Sequence, residues 1–227
     1  MKISGFQKLS LVDFDGHISA TIFVSGCNFA CPFCHNSGLV QGSEPALNEL
    51  EILEYLKKRF GLLDSVCISG GEPTLYPDLP KFIEKLKDMG YIIKLDSNGT
   101  NPEMLKYLVE NKLINYIAMD IKNSFEKYSS TIGKEFDTDV LRDSIEYIMN
   151  SGIDYEFRTT LVQELHSKED IEDISKMIKG AKRYFLQKFE DSGHCIKQGL
   201  SAVPKVVASE YVEILKKNIP NTCLRGY

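Results

Sequence analysis

Ala20-Thr21-Ile22-Phe23-Val24 is followed at once by Ser25-Gly26-Cys27-Asn28-Phe29-Ala30-Cys31-Pro32-Phe33-Cys34-His35-Asn36, which sets three cysteines at a C-x3-C-x2-C spacing. The first stretch is the apolar run of a strand covered on both faces. Gly26, Asn28, Pro32 and Asn36 are turn formers, so the second stretch is a loop at the end of that strand. The odd number of thiols is informative. A closed structural zinc site takes four ligands, and a cubane iron–sulfur cluster held by protein alone takes four thiolates. Three thiolates would leave one iron of a [4Fe–4S] cluster open to a substrate or cofactor, the property that separates a catalytic metal site from a structural one. A zinc ion completed by His35 or Cys67 is a second reading, and three buried thiols a third, which the turn formers disfavour.

Outward from the loop, strand and helix patterns alternate. Glu51–Phe60 places Ile52, Leu53, Leu56 and Phe60 at helical spacing before Gly61. Ser65–Ser69 reads as a strand and 77–89 as a helix ending at Gly90; 91–96 is a strand and 102–112 a helix. Asn115–Asp120 is a strand, 138–150 a helix, and 154–162 a strand. Ser167-Lys-Glu-Asp170 is a capping-box signature opening a helix toward Gly180, 182–189 is a strand, and 209–218 a last helix. Six strands alternating with helices predict an α/β fold with a parallel sheet and right-handed crossovers. A doubly wound sheet and a partial barrel both fit that alternation. The irregular stretch 190–206 reads as a mobile surface segment.

Active sites of parallel α/β folds gather at the carboxyl ends of the strands, and the unusual residues fall there. Ser69-Gly70-Gly71-Glu72-Pro73 allows close backbone approach and adds a carboxylate for a cationic group. Asp96-Ser97-Asn98-Gly99-Thr100 and Met119-Asp120-Ile121-Lys122 end the next two strands. Arg158 interrupts the apolar run Glu156-Phe-Arg-Thr-Thr-Leu-Val162 and needs an anionic partner if buried. An ion pair with Glu156 on the same face is disfavoured because that Glu can solvate at the strand end. Gln187 and Lys188 could line the same mouth by position.

Cys27, Cys31 and Cys34, with the aromatic Phe33 before the last, resemble the cluster motif of the radical S-adenosylmethionine (SAM) enzymes. The trailing Cys34-His35-Asn36 is similar to the activating enzymes of glycyl radical proteins, those for pyruvate formate-lyase and for the anaerobic ribonucleotide reductase. The resemblance implies an open, TIM-like (β/α)6 partial barrel with a [4Fe–4S] cluster on Cys27, Cys31 and Cys34 and SAM as cofactor. Gly70-Gly71-Glu72 resembles the family's GGE motif, which implies that it holds the methionyl ammonium. Asp96-Ser97-Asn98-Gly99 is similar to the activators' Asp-Thr-Asn-Gly, and Asp120-Ile121-Lys122 to their Asp-Leu-Lys. By that resemblance Asp96 and Asp120 lie beside the cofactor and share a monovalent cation, Lys122 approaches the SAM ribose or carboxylate, and Arg158 meets SAM's carboxylate or an acidic group of the partner protein.

The implied function is reductive cleavage of SAM and hydrogen abstraction from a glycine of a partner glycyl radical enzyme, anaerobic ribonucleoside-triphosphate reductase above all, with a flavodoxin or ferredoxin as reductant. Val12-Asp13-Phe14-Asp15-Gly16 departs from the Val-Asp-Gly-Pro-Gly of the pyruvate formate-lyase activators, which moves the match toward the shorter activators and leaves open whether Asp13 or Asp15 meets the glycyl loop. Two rivals stand: a radical SAM enzyme acting on a small molecule, such as 7-carboxy-7-deazaguanine synthase, and a non-catalytic iron–sulfur or zinc binding protein. The second leaves Gly70–Glu72 and the strand-end aspartates unexplained.

The chain has 227 residues, 43% hydrophobic and 26% charged, which fits one globular domain, with a core of about 18–190 and a C-terminal helix and tail at 191–227. The net charge of −5 argues against nucleic acid as a partner. No stretch reaches the roughly 18–20 apolar residues of a membrane span, and Lys8, Asp13 and Asp15 interrupt any signal-peptide core. A reducing, anaerobic cytoplasm is the expected setting. Cys67, Cys195 and Cys223 lack ligand spacing and read as ordinary thiols; His17, His166 and His194 read as surface or satisfied core residues. Leu224-Arg225-Gly226-Tyr227 loosely resembles the Arg-x-x-Gly-Tyr setting of a radical glycine, so a placeholder role in the partner groove is one expectation for this tail.

Overall fold

The computed structural model describes residues 1–34, 36–191, 193 and 195–227. Among them eight strands form one sheet in sequential order: β1 Ile3–Ser10, β2 Ser19–Val24, β3 Ser65–Gly70, β4 Ile92–Ser97, β5 Tyr116–Asp120, β6 Asp154–Leu161, β7 Tyr184–Lys188 and β8 Thr222–Arg225. The helices are α1 Ser37–Gln41, α2 Glu49–Arg59, α3 Leu79–Asp88, α4 Pro102–Glu110, α5 Tyr128–Ile132, α6 Asp139–Asn150, α7 Lys168–Met177 and α8 Lys205–Lys216. Every step from β2 to β8 is parallel, and β1 runs antiparallel to β2.

The strand order decides between the two architectures that periodicity allowed. A doubly wound sheet reverses direction at a switch point. Here the order never reverses, so right-handed crossovers carry the helices to one face and the sheet curls about the other. This is a partial barrel with a parallel-dominated sheet. The six strands expected from the sequence are β2–β7, with ends within two residues of those expected.

β1 and β8 are additions. The stretch read as a lead-in holds an edge strand whose Ile3 and Ser10 alone are buried, so no apolar run betrays it. The last strand has four residues, too few to show a period. Helix starts follow their caps. α2 begins on Asn48, whose side chain accepts from Leu50 N, and α7 on the Ser167–Asp170 capping box that the sequence signalled. The last long helix starts at Lys205 after Pro204, earlier than its apolar period suggested.

Outward strand residues Val66, Ile68, Ile93, Leu95, Ile117 and Met119 share one buried cluster with Leu79, Phe82 and Ile83 of α3 and Leu105 and Leu108 of α4. Each such side chain contributes about 1.5–3 kcal/mol when fully buried. The inward face is different. Lys94, Asp96, Asp120, Arg158 and Gln187 point into the lumen beside two cavities, so the strands beyond β2 alternate rather than staying apolar on both faces. The 11–18 loop closes the barrel floor. Phe14 packs on Tyr116 with ring centroids 5.2 Å apart, and Lys94 Nζ donates to the Asp13 carbonyl.

Residues 190–204 are irregular and most of the described ones are exposed, as read, but three side chains anchor the segment. Cys195, Leu200 and Val203 join the main core, and Lys197 N donates to Pro32 O at 2.8 Å. It straps the cysteine loop. Among the described residues no helix is long and apolar enough to cross a membrane.

Candidate active site

Cys27, Cys31 and Cys34 line one cavity of about 280 Å³ at the carboxyl ends of the strands. The loop that carries them is held from several sides. Tyr76 Oη donates to Ser25 O at 2.5 Å, Ala30 N donates to Ile132 O at 3.0 Å, and Glu72 N donates to Gly26 O at 2.9 Å. Asn98 Nδ2 donates to Asn28 Oδ1 at 2.9 Å, and Asn28 Nδ2 to Thr100 Oγ1 at 2.8 Å, which ties the cysteine loop to the end of β4. Gly71 abuts the Gly26 carbonyl so closely that a Cβ would collide with it, and Gly70, at φ +114°, presses on the backbone of Val24. The missing side chains of these glycines let the loop after β3 pack on β2 and the cysteine loop.

Burial pushes the Cys27 thiol up and the Cys31 thiol to about 12. A bare thiolate is disfavoured there, so a metal that takes the place of the proton supplies the missing positive charge. Among the described residues no group of three or more His, Cys, Asp or Glu side chains is set to hold a metal ion. All three thiols nevertheless line the one cavity, and three soft sulfur donors there fit an iron–sulfur group. Cys67 cannot complete a zinc site with them: it lies in the lumen on β3 beside Lys94 and Asp96 and does not line this cavity. His35, the other fourth ligand considered, and His194 lie outside the described residues.

Facing the sulfur wall is an ionic layer contributed by adjacent strands. Arg158 Nε donates to Asp120 Oδ1 at 2.9 Å and its Nη1 to Asp96 Oδ2 at 3.2 Å. Lys122 Nζ donates to Asp120 Oδ2 at 2.9 Å and sits 5.9 Å from the Phe33 ring centroid. Ser69 Oγ donates to Asp96 Oδ2 at 2.9 Å, and Lys94 Nζ lies 3.2 Å from Asp96 Oδ1. Burial alone would raise both carboxyls. Arg158 and Lys122 outweigh it at Asp120, holding that group at about 2, and Arg158 and Lys94 keep Asp96 below the usual range.

Arg158 and Glu72 take partners within the chain. Arg158 pairs with Asp96 and Asp120 through Nε and Nη1. Glu72 does not face the cavity: it is fully buried and accepts from Thr74 N, Thr74 Oγ1, Ser97 Oγ and Asn98 N at 3.0, 2.6, 2.9 and 2.6 Å. Burial raises its pKa despite those four bonds. Its carboxylate locks the loop after β3 to the loop after β4, so Glu72 shapes the site from behind.

The structure brings Phe33, Gly70, Gly71, Asp96, Ser97, Asn98, Asp120, Lys122 and Arg158 to the same cavity as the thiols. Gln187 joins them; Lys188 does not, and lies 3.8 Å from Glu190. Asp13 is at the cavity floor, its Oδ2 accepting from Thr21 Oγ1 at 2.5 Å, while Asp15 points away to Arg225. Sequence reading missed Asp13's place, Phe23, Phe29 and Thr160, which carry no motif, and Lys94. A signal for Lys94 did exist: a cation inside the run Tyr91–Asp96, two residues from Asp96 and hence on its face. Glu156, expected to solvate, is 2% exposed. His166 is a satisfied core residue, with Nε2 2.9 Å from Lys122 O, and His17 Nδ1 lies 3.0 Å from Asp64 Oδ2.

A partial parallel barrel with three thiols on the loop after its first parallel strand defines the class, and the family model described as the Radical SAM superfamily matches residues 21–179. The chain belongs to that superfamily. It is 35% identical over 232 residues to a Methanocaldococcus jannaschii protein provisionally named a glycyl-radical enzyme activating enzyme, covering 98% of this chain and 95% of that one. Among solved structures, the Streptococcus suis protein SuiB bound to precursor peptide SuiA superposes with a TM-score of 0.72 at 17% identity, over 91% of this chain. The chain spans 48% of the length of SuiB, and the likeness is one of fold. A domain of a pyruvate-formate lyase-activating enzyme from Bacteroides vulgatus superposes with a TM-score of 0.59 at 15% identity, covering 71% of this chain and 99% of that domain.

Proposed function

We propose that this protein is an activating enzyme that reductively cleaves SAM and takes a hydrogen from one glycine of a partner glycyl radical enzyme, with anaerobic ribonucleoside-triphosphate reductase as the assigned partner. The observation that carries the reading is one cavity that gathers the three thiols of a single loop, the strand-end glycines packed against that loop, and the Asp96–Arg158–Asp120–Lys122 layer. The similarity in sequence over nearly the whole length to the M. jannaschii protein supports the activating role. The departure at Val12–Gly16 supports the reductase's activator over that of pyruvate formate-lyase.

In this reading Cys27, Cys31 and Cys34 would hold a [4Fe–4S] cluster, which when bound would supply the one electron needed to cleave SAM into methionine and a 5′-deoxyadenosyl radical. The chain's own residues orient and protect. Gly70 and Gly71 bring backbone to the cavity lining, and Lys122 and Asn98 bring side-chain nitrogens to it. Phe23, Phe29, Phe33 and Val40 keep water from the cavity, which holds reacting atoms close and suppresses side reactions of a radical. A flavodoxin or ferredoxin is the reductant in this scheme.

The test is anaerobic. Reconstituted protein with dithionite and SAM should release 5′-deoxyadenosine, and Cys31→Ala should release none. Addition of the reductase should then give a glycyl radical signal in electron paramagnetic resonance. Absence of 5′-deoxyadenosine from fully loaded protein, with candidate partners present, would overturn the assignment. Its formation only with a small-molecule substrate would overturn the choice of partner.

A further inference from the structure

Arg225 belongs to β8, and its guanidinium reaches across the barrel floor. Nη1 donates to Glu156 Oε1 at 2.8 Å, and Nη2 donates to Glu156 Oε2 at 3.2 Å and to Asp15 Oδ2 at 3.0 Å. The group stacks on Phe185 with its Cζ 3.7 Å from the ring centroid. Asp15 lies in the loop between β1 and β2, so this one side chain joins the two ends of an unclosed sheet.

Glu156 is buried, and it also accepts from Tyr116 Oη at 3.0 Å. Arg158 follows two residues later on the same face of β6, about 7 Å along the strand. Arg158 is thus placed among three carboxylates, the part-buried Asp120 and Asp96 and the buried Glu156, and hydrogen-bonds only the first two. Glu156 is the competitor, and the bidentate fork of Arg225 occupies it. Without that fork Glu156 would be a buried charge with only the Tyr116 hydrogen bond, a costly state relieved by drawing a neighbouring cation, Arg158 or Lys94, away from the aspartates. Tyr116, Lys94, Arg183 and Asp13 complete the groups around Glu156.

We propose that Arg225 is a positioning residue: by holding Glu156 it leaves Arg158 committed to Asp96 and Asp120, and so sets the ionic wall of the candidate SAM site. What that wall binds rests on the function proposed above; the ion-pair arrangement does not.

Arg225→Met, Glu156→Gln and the double variant test this in two ways. In the metal-free protein, the Nε–H signal of Arg158, assigned by its loss in Arg158→Lys, should shift and lose protection from exchange in R225M. It should return in E156Q/R225M, because a neutral Gln no longer competes. In reconstituted protein, SAM affinity should fall about tenfold in R225M and recover to within about threefold of the parent in the double variant, a change of roughly 1.4 kcal/mol per decade. Arg225→Lys, which keeps a charge without the fork, should fall between the two and serves if R225M does not fold. An unchanged Arg158 signal in R225M, or failure of E156Q to restore it, overturns the proposal. If the parent protein binds no SAM, the functional reading falls while the Nε–H comparison still decides the role of Arg225.

Discussion

Arg158 shows how one side chain can carry a site. It is 9% exposed and bridges two carboxylates from two other strands, so its removal leaves Asp96 and Asp120 facing each other with less than their share of positive charge. Arg158→Met should cost about 3–5 kcal/mol, the usual result of breaking a buried ion pair from one side. Urea unfolding of the metal-free protein would measure it, and a loss under 1 kcal/mol would show that Lys94 and Lys122 suffice. The cysteines give a second test at this scale. Cys223 is exposed, whereas Cys31 and Cys67 are buried and their thiols are pushed up by burial. Iodoacetamide at pH 8 should therefore label Cys223 first and Cys31 and Cys67 last in metal-free protein, read by peptide mass spectrometry. Early labelling of Cys31 would mean that its loop opens in solution.

At the scale of elements, the contact that matters most is between the loop after β2 and the loop after β3. Gly71→Ala would drive a methyl group into the Gly26 carbonyl, backbone against backbone, where neither side can swing away. We expect it to lose about 1–3 kcal/mol by overpacking and to bind less iron and sulfide per chain after reconstitution than the parent protein. Full loading would show that the two loops can separate without harm. Ser167→Ala, by contrast, removes a helix cap remote from the thiols: it should cost about 0.5–2 kcal/mol and leave iron content unchanged. The capping box was legible in the sequence because it is a local pattern closed within four residues. The Gly71–Gly26 approach was legible only as permission, since two glycines say that backbone can come near without saying what does.

The whole molecule is a barrel with a charged lumen, and this makes it acid-sensitive. Against the cost of burial, Asp96, Asp120 and Glu156 are held below their usual range by Arg158, Lys94, Lys122 and Arg225. For a carboxyl whose folded pKa is depressed, the stabilising contribution is complete above the unfolded value near 4 and is lost as pH falls toward the folded one. Glu72 runs the other way, because burial raises it and its protonation relieves the fold. Three groups outweigh one. Thermal midpoints of the metal-free protein should fall steeply between about pH 4 and pH 2, and Asp120→Asn should lower the midpoint at pH 7 while flattening that slope. An equally steep slope in the variant would locate the acid sensitivity elsewhere.

The amino-acid sequence determined the alternation of strands and helices, the order of the parallel strands along the chain, the three thiols, and the strand ends at which the polar residues gather, because each is a local or periodic property. It left the partners of those residues open. That Arg158 serves Asp96 and Asp120, that Glu72 turns inward to clamp two loops, that Lys94 stands beneath Asp96, and that four residues at 222–225 become a strand whose arginine spans the floor were decided by the curl of the sheet. Curvature brings side chains from strands far apart in sequence into one narrow lumen, where each buried charge must take whichever counter-charge the geometry leaves to it.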